Sequence, residues 1–161
     1  IRAAKLRGVK VTAEATPHHL TLTDAEVSSF NTATKVNPPL RSADHMAALR
    51  QGLKDGTIDV IACDHAPHAY EEKDVEFRYA PSGFTGLETS LGVILTDLYH
   101  TGEFTLPEIT VIDPDKEWTV DCDKFYTRGK ASPFAGRRLK GQAVMTVVDG
   151  KIVMREGQVR A

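Results

Sequence analysis

The sequence predicts an α/β protein that ends in a small β domain, and three observations lead to this prediction. Two apolar runs, at residues 9–15 and 58–63, have the length and composition of strands that are buried on both faces. Helical patterns follow these runs, which gives the strand–helix alternation of a parallel sheet. Later in the chain, Asp149-Gly150 stands between two short β-branched runs and predicts a hairpin.

The elements of the α/β part follow in order from local signals. Residues 1–7 have the pattern of the last turns of a helix closed by Gly8, so we expect the chain to begin inside an element. Thr23 to Glu26 is a capping-box pattern that predicts a short helix to about residue 30. Ser42 is the expected N-cap of a helix over residues 43–54, and the glycine-bearing turn at residues 81–86 precedes a helix over residues 87–99.

The pattern changes from residue 110 onward. Short strands are predicted at residues 110–112 and 118–120, and the hairpin strands at 145–148 and 151–154. We therefore predict two domains, an α/β part at residues 1–109 and part of a β domain at residues 110–161.

Composition and charge narrow the possible functions. The chain has 161 residues, of which 41% are hydrophobic and 26% charged. Its net charge of -2 does not predict electrostatic binding to nucleic acid or to an anionic membrane. No apolar run approaches the roughly 18 residues that span a bilayer, so a cytoplasmic protein is expected. The two cysteines do not form a disulfide framework.

Polar residues with chemical potential follow the predicted strands. Asp64 comes directly after the second strand and lies close to His65 and His68, so it is either a loop-anchoring carboxylate or a metal ligand and proton carrier. Asn37, before two prolines, is a turn residue or a group that fixes a polar substrate. Ser82-Gly83 is a simple turn or a backbone segment that a ligand approaches closely.

A further pair, His18 and His19, follows the first strand. On an extended chain, adjacent side chains point to opposite sides, so at most one of these histidines would face a common site. Structural histidines and metal ligands both remain open for this pair.

Four segments of the chain, taken together, carry more information than any one of them. They are Ala13-Glu14-Ala15-Thr16-Pro17-His18-His19-Leu20, Lys35-Val36-Asn37-Pro38-Pro39-Leu40-Arg41, Ala62-Cys63-Asp64-His65-Ala66-Pro67-His68 and Gly83-Phe84-Thr85-Gly86-Leu87-Glu88-Thr89. In order and in spacing these segments resemble the class I dihydroorotases of the amidohydrolase superfamily. The aspartate segment favours dihydroorotase over the related hydantoinases and allantoinases.

The resemblance implies a fold and an activity. The fold is the C-terminal portion of a (β/α)8 metal-dependent hydrolase barrel, with its last two strands and their helices, plus part of a small β-sandwich domain. The activity is the zinc-dependent interconversion of (S)-dihydroorotate and N-carbamoyl-L-aspartate in pyrimidine biosynthesis, with two zinc ions in an intact site.

Residue roles are also implied by the resemblance. Asp64 resembles the aspartate that binds the more exposed zinc and acts as general base and acid. His68, Asn37 and the Ser82-Gly83 backbone resemble substrate-binding groups. His18 and His19 match a motif outside the metal site. His65 would at most contact a residue of the site, and would bind neither the metal nor the substrate.

Two departures from the family pattern limit what this chain does alone. The family's other metal ligands precede the point where the chain begins, and roughly 30 residues of the pattern are missing near residue 109, so we expect the isolated chain to be inactive. A non-catalytic dihydroorotase-like subunit and another cyclic amidohydrolase of hydantoinase or allantoinase type remain alternatives. Expected partners are the small-molecule substrate, further copies of the chain, or aspartate carbamoyltransferase.

Overall fold

The computed structural model describes residues 1–104, 112–148, 151–155 and 157–159. The chain divides into two compact units: unit 1 comprises residues 1–87 and 122–133, and unit 2 comprises residues 88–121 and 134–161. The predicted domain boundary between residues 109 and 110, and the predicted gap in the family pattern near it, lie outside the described residues. No helix within the described ranges is long and apolar enough to cross a membrane.

Unit 1 is built from short helices around one pair of strands. Three short 3-10 turns accompany them, at Asp24–Ser29, Thr32–Thr34 and Cys122–Lys124. Its helices and strands are α1 (Arg2–Leu6), β1 (Glu14–Ala15), α2 (Pro17–Thr21), α3 (Ala43–Lys54), β2 (Val60–Ile61) and α4 (Tyr70–Lys73).

The two strands pair in parallel, as the strand–helix alternation predicts. Glu14 lies opposite Val60 and Ala15 opposite Ile61, and the pairing continues with a hydrogen bond of 2.9 Å from the Ala62 N–H to the Ala15 carbonyl. The strands are shorter than predicted. Just before β1, the Ala13 N–H donates to the Asp59 carboxylate at 2.8 Å, and the Ala13 carbonyl accepts the Asp59 N–H at 2.9 Å.

The prediction that the second strand is buried on both faces is wrong for the described chain. Val60 is 49% exposed. Burial on both faces requires flanking strands and covering helices, and in the described ranges β2 pairs with β1 in a two-stranded sheet.

Helix predictions succeed where the signal is local. α1 and α3 match the predicted segments, and Gly8 and Gly56 follow them with positive φ. The predicted capping box at Thr23 is wrong: a 3-10 turn follows Thr23, whose side chain makes no capping hydrogen bond.

The core of unit 1 gathers side chains from both of its segments. Phe84, Leu20 and His18 are among its most buried side chains. Thr85 is fully buried, and it links to the second segment through its hydroxyl, which donates to the Gly129 carbonyl at 2.8 Å. Unit 1 therefore buries a polar bond and an imidazole together with its apolar core.

Unit 2 begins within helix α5 (Leu87–Ile94), which continues as a π-helix over Leu95–Tyr99. A two-stranded antiparallel sheet, β3 (Ile112–Thr119) with β4 (Arg138–Ala143), packs on this helical segment. Strands β5 (Met145–Val148), β6 (Lys151–Arg155) and β7 (Gln158–Val159) form a second antiparallel sheet.

The predicted hairpin strands are confirmed, because β5 and β6 pair with Val148 opposite Lys151. The predicted turn residues Asp149 and Gly150 lie outside the described residues, as do residues 110 and 111 of the predicted first strand. β3 is one continuous strand with a register irregularity between Asp113 and Glu117, where the sequence predicted two short strands.

Close packing between helix and sheet holds unit 2 together. Leu95, Leu98, Phe134 and Leu139 are each at most 2% exposed. At Gly141, where φ is +99°, a Cβ atom would lie 2.2 Å from Leu95 Cδ1. The strand and the helical segment therefore approach each other as closely as a glycine allows.

We expect Gly141→Ala to destabilise the protein by about 2–4 kcal/mol, because it adds a left-handed backbone cost to a direct clash with Leu95. Gly136→Ala is the matched control: its φ is +74°, and the added Cβ would meet no atom within 4 Å. That control should lose only about 1–2 kcal/mol. Urea denaturation followed by Trp118 fluorescence measures both values, and equal losses would contradict the packing account.

Phe84→Ala should cost about 3–5 kcal/mol, because it removes a ring that is 1% exposed from the core of unit 1. Leu6→Ala, at a side chain that is 83% exposed, should change stability by less than about 0.5 kcal/mol. The free energy of unfolding from circular dichroism in urea tests both. Similar losses of unfolding free energy in the two variants would show that the Phe84 side chain is not part of a packed core.

Candidate active site

Asp64 lies three residues beyond the end of β2, where the chain leaves the parallel sheet. Its φ is +53°, a left-handed conformation that is uncommon for a residue other than glycine. Its side chain is 44% exposed and makes no hydrogen bond to another described residue. The carboxylate at the carboxyl end of this strand is therefore free to meet a ligand.

His18 is the nearest ionisable partner of Asp64, with 3.9 Å between His18 Nε2 and Asp64 Oδ2. The His18 ring is buried and packs edge-on against Phe84, with 4.8 Å between the ring centroids. Burial first, and then the neighbouring His19, lowers the pKa of His18 to about 3. His18 is therefore a neutral imidazole near neutral pH, and its Nε2 has no hydrogen-bond partner in the described chain.

The two adjacent histidines do not lie on an extended chain, as the sequence analysis assumed. They belong to α2, which Thr16 caps by accepting the His19 N–H at 3.2 Å. The two rings lie 4.5 Å apart, and His19 Nε2 donates to the Pro38 carbonyl at 2.9 Å. The N-cap threonine followed by proline at the first helical position was the signal for this helix.

His68 and the Ser82-Gly83 backbone are in direct contact. His68 Nε2 lies 3.0 Å from the Ser82 carbonyl oxygen, and because a carbonyl only accepts, this nitrogen carries the proton. His68 Nδ1 lies 3.5 Å from Glu72 Oε2 on α4. The structure thus brings together three of the residues that the sequence marked for substrate binding.

Gly83 allows the loop to lie against the chain that follows Asp64. Its φ is +119°, and a Cβ atom at this position would lie 2.8 Å from the Cβ of Ala66 and 2.9 Å from its carbonyl oxygen. The Gly83 N–H donates to the Lys35 carbonyl at 2.9 Å. The loop, the segment after β2 and the segment before Asn37 therefore meet at this glycine.

Asn37 is exposed, and its side chain makes no hydrogen bond to another residue of the described ranges. Its neighbours fix its position: Lys35 is bonded to Gly83, and Pro38, which follows a cis peptide bond, is bonded to His19. The structure places Asn37 between these two anchors and leaves its amide available.

His65 is occupied by the backbone. Its Nδ1 accepts the N–H groups of Gly86 and Leu87, each at 3.2 Å. This nitrogen therefore carries a lone pair, and within unit 1 the ring ties the segment after Asp64 to Gly86 and Leu87.

Sequence reasoning missed Lys73, which is the most buried charged side chain near the loop. It is 5% exposed, and its ammonium donates to the carbonyls of Pro81 and Gly83, each at 2.9 Å. Burial, and to a lesser extent the charge of Lys35, lowers the pKa of Lys73. A lysine in a charged run is usually solvent-exposed, so the sequence held no signal for its burial.

The residues described here do not form a metal site by themselves. A catalytic zinc ion usually has three protein ligands, and the described ranges contain no group of three His, Cys, Asp or Glu side chains that could hold a metal. Asp64 offers one carboxylate. Any metal at this strand end would need ligands from outside the described residues.

Curated relatives match almost the whole chain. Proteins named dihydroorotase from Pelotomaculum thermopropionicum, Syntrophus aciditrophicus and Geobacter metallireducens are 48%, 48% and 47% identical to it, over 99%, 97% and 96% of this chain. The chain spans 43–44% of their length. The alignment with the first covers 187 positions against 161 residues here, so that relative carries additional residues inside the matched region. No family model matches the chain.

Solved structures give the fold. The L-hydantoinase (dihydropyrimidinase) from Arthrobacter aurescens matches 100% of the chain and 43% of its own length, with a TM-score of 0.92 and 29% identity. An inactive dihydroorotase-like domain of a Chaetomium thermophilum CAD-like multifunctional protein matches with a TM-score of 0.68 and 20% identity, which shows the fold alone. The prediction that the chain has the fold of part of an amidohydrolase barrel is confirmed by its likeness to these structures.

Together, the sequence identity and the shared fold identify this chain as a homologue of the C-terminal part of the dihydroorotases, within the amidohydrolase fold.

Proposed function

We propose that this chain supplies one wall of a dihydroorotase active site, in an enzyme that interconverts (S)-dihydroorotate and N-carbamoyl-L-aspartate. The observation that carries the proposal is the Asp64 carboxylate, which stands at the carboxyl end of β2 without a hydrogen bond to another described residue. Barrel enzymes place their catalytic groups at this end of their strands. The match to relatives named dihydroorotase supports the choice of substrate.

Asp64 would act as the proton carrier. In hydrolysis, water adds to the ring amide carbon, the carbon–nitrogen bond breaks, and Asp64 moves a proton from the water to the leaving nitrogen. Ring closure uses the same steps in reverse. The exposed carboxylate suits this role, because it can reach both substrate and water.

The substrate would be bound by His68, Asn37, Ser82 and Gly83. His68 is held by Ser82 and lies near Glu72. The free amide of Asn37 can meet ring polar groups. Gly83 would contribute through its close approach to Ala66, which fixes the position of the adjacent Ser82. These groups form a polar surface for a small anionic cyclic amide.

We also propose Asp64 as a zinc ligand, in a site of two zinc ions completed by donors that the described residues do not provide. Without those donors, the 161-residue chain is inactive. The intact enzyme would serve pyrimidine biosynthesis in the cytoplasm. A second copy of the chain and aspartate carbamoyltransferase are the proposed protein partners.

A cyclic amidohydrolase of hydantoinase type is the second candidate, which the likeness to the Arthrobacter aurescens enzyme favours. A chimera separates the two. Residues 1–104 of this chain replace the corresponding segment of the Pelotomaculum thermopropionicum dihydroorotase, and turnover is measured on dihydroorotate, hydantoin and allantoin. We expect turnover of dihydroorotate alone. A folded chimera with the parent's metal content that acts only on hydantoin, or on none of the three, contradicts the proposal.

In that chimera, Asp64→Asn should lower kcat by about 10²–10⁴-fold, because the amide cannot carry the proton. Asp44→Asn, at an exposed position in the first turn of α3, is the control and should leave kcat unchanged. Steady-state assays in both directions of the reaction measure the effect. A kcat for Asp64→Asn within a factor of about three of the parent's would remove Asp64 from its proposed role.

The 161-residue chain alone should retain less than about one tenth of an equivalent of zinc after desalting, since a stable site needs at least three ligands. It should also hydrolyse no dihydroorotate. Elemental analysis by mass spectrometry and the hydrolysis assay, both on this chain, provide the check. Stoichiometric zinc together with turnover would overturn the view that the described residues form one wall of the site.

A further inference from the structure

Lys73 is a buried charged residue to which the proposed chemistry assigns no role. It is the last residue of α4, and its ammonium reaches the carbonyls on both sides of Ser82, those of Pro81 and Gly83. Both hydrogen bonds measure 2.9 Å.

The ammonium of Lys73 has no acidic partner within the part of the chain that the structure describes. Its charge is balanced only by carbonyl dipoles, and Lys35, a second cation, lies close enough to lower its pKa. Burying a charge without an opposite charge is costly. An apolar side chain of similar length would avoid that cost but would leave the Pro81 and Gly83 carbonyls without these donors. The placement is therefore explained by the two carbonyls that the ammonium holds.

The bonds around Ser82-Gly83 leave a specific set of groups free. The Ser82 carbonyl accepts from His68, the Gly83 N–H donates to Lys35, and the Gly83 carbonyl accepts from Lys73. Among described residues, the N–H and the hydroxyl of Ser82 have no partner. The loop is thus fixed on both sides of the two groups that remain available to a ligand.

We propose that Lys73 is a positioning residue of this site, which holds the backbone of Ser82-Gly83 so that the Ser82 N–H and hydroxyl are presented to the substrate. This inference rests on the proposed function for the identity of that substrate. Lys73 acts through the two carbonyls and does not touch the reacting atoms.

Lys35 provides a matched control. It also donates to two backbone carbonyls of the same loop, those of Phe77 at 2.8 Å and Arg78 at 3.0 Å, but these do not flank Ser82 as the carbonyls of Pro81 and Gly83 do. Lys35→Met and Lys73→Met therefore remove the same kind of support from two parts of one loop. A general stabilising role predicts equal effects, whereas a positioning role predicts different ones.

In the chimera, we expect Lys73→Met to raise KM for dihydroorotate at least about tenfold while kcat changes by less than about threefold, because binding contacts are lost and the proton carrier is kept. Lys35→Met keeps the Lys35 backbone carbonyl that accepts the Gly83 N–H and loses only the bonds to Phe77 and Arg78, so it should leave KM within about twofold. Both variants should lower the melting temperature. Equal KM values for the two variants would overturn the proposal. If Lys73→Met does not fold, Lys73→Gln, which loses the charge and falls short of the carbonyls, replaces it with the same expectation.

A second readout does not depend on catalysis. In the 161-residue chain, Lys73→Met should speed hydrogen exchange of the Gly83 amide at least about tenfold and leave the Ala62 amide, which bonds to Ala15, unchanged. In Lys35→Met, faster exchange should appear at Tyr79 and Ala80 instead. An inactive parent chimera with this exchange pattern refutes the dihydroorotase assignment and keeps the positioning role. An unchanged Gly83 amide refutes the positioning role whatever the chimera does.

Discussion

Gly83 has no side chain, and the Cβ and carbonyl oxygen of Ala66 lie where one would begin. This contact lets the loop rest on the segment that follows Asp64. The neighbouring bonds depend on the same approach: the Ala66 N–H donates to the Phe84 carbonyl at 3.1 Å, and the Gly83 N–H donates to Lys35. Any larger residue would lift the loop and separate His68 from the Ser82 carbonyl. The relative positions of the candidate site residues thus depend on the close approach of the Gly83 backbone to Ala66.

A loop packed this closely needs partners for its own carbonyl groups, since buried backbone groups are rarely left unpaired. Two lysines supply them, Lys35 for Phe77 and Arg78, and Lys73 for Pro81 and Gly83. Bonds from a charged donor contribute about 1.5–3 kcal/mol each, more than bonds between neutral groups. The irregular segment between α4 and α5 is therefore held by two cations in place of a helix or a sheet ladder.

The sequence predicts those helices and strands whose determining residues lie within one short segment. α3 was predictable because its cap, apolar stripe and closing glycine lie within one segment, and the β5–β6 hairpin because its strands flank an Asp-Gly pair. The burial of β2 was not predictable in the same way, because it depends on which elements cover Val60. Lys73 is the clearest case: its sequence neighbours are acidic and exposed, and only the fold shows that its ammonium is buried. The sequence also singled out candidate site residues by their type and spacing, and some of them are in contact, as His68 is with Ser82. The role of each residue stays a prediction.

Energetic costs at this strand end support the proposed active-site role over that of a scaffold that merely keeps the fold. Asp64 has a left-handed backbone without a hydrogen bond in the described chain to compensate for it, and His18 buries a ring nitrogen that lacks a partner there. Each such feature costs on the order of 1–3 kcal/mol, and such costs concentrate at functional sites. A scaffolding subunit would gain stability by replacing the aspartate with glycine and the imidazole with an apolar ring. The two costly groups lie 3.9 Å apart, near a loop in which the N–H and the hydroxyl of Ser82 have no partner among the described residues. This arrangement is expected where a ligand completes the set of contacts.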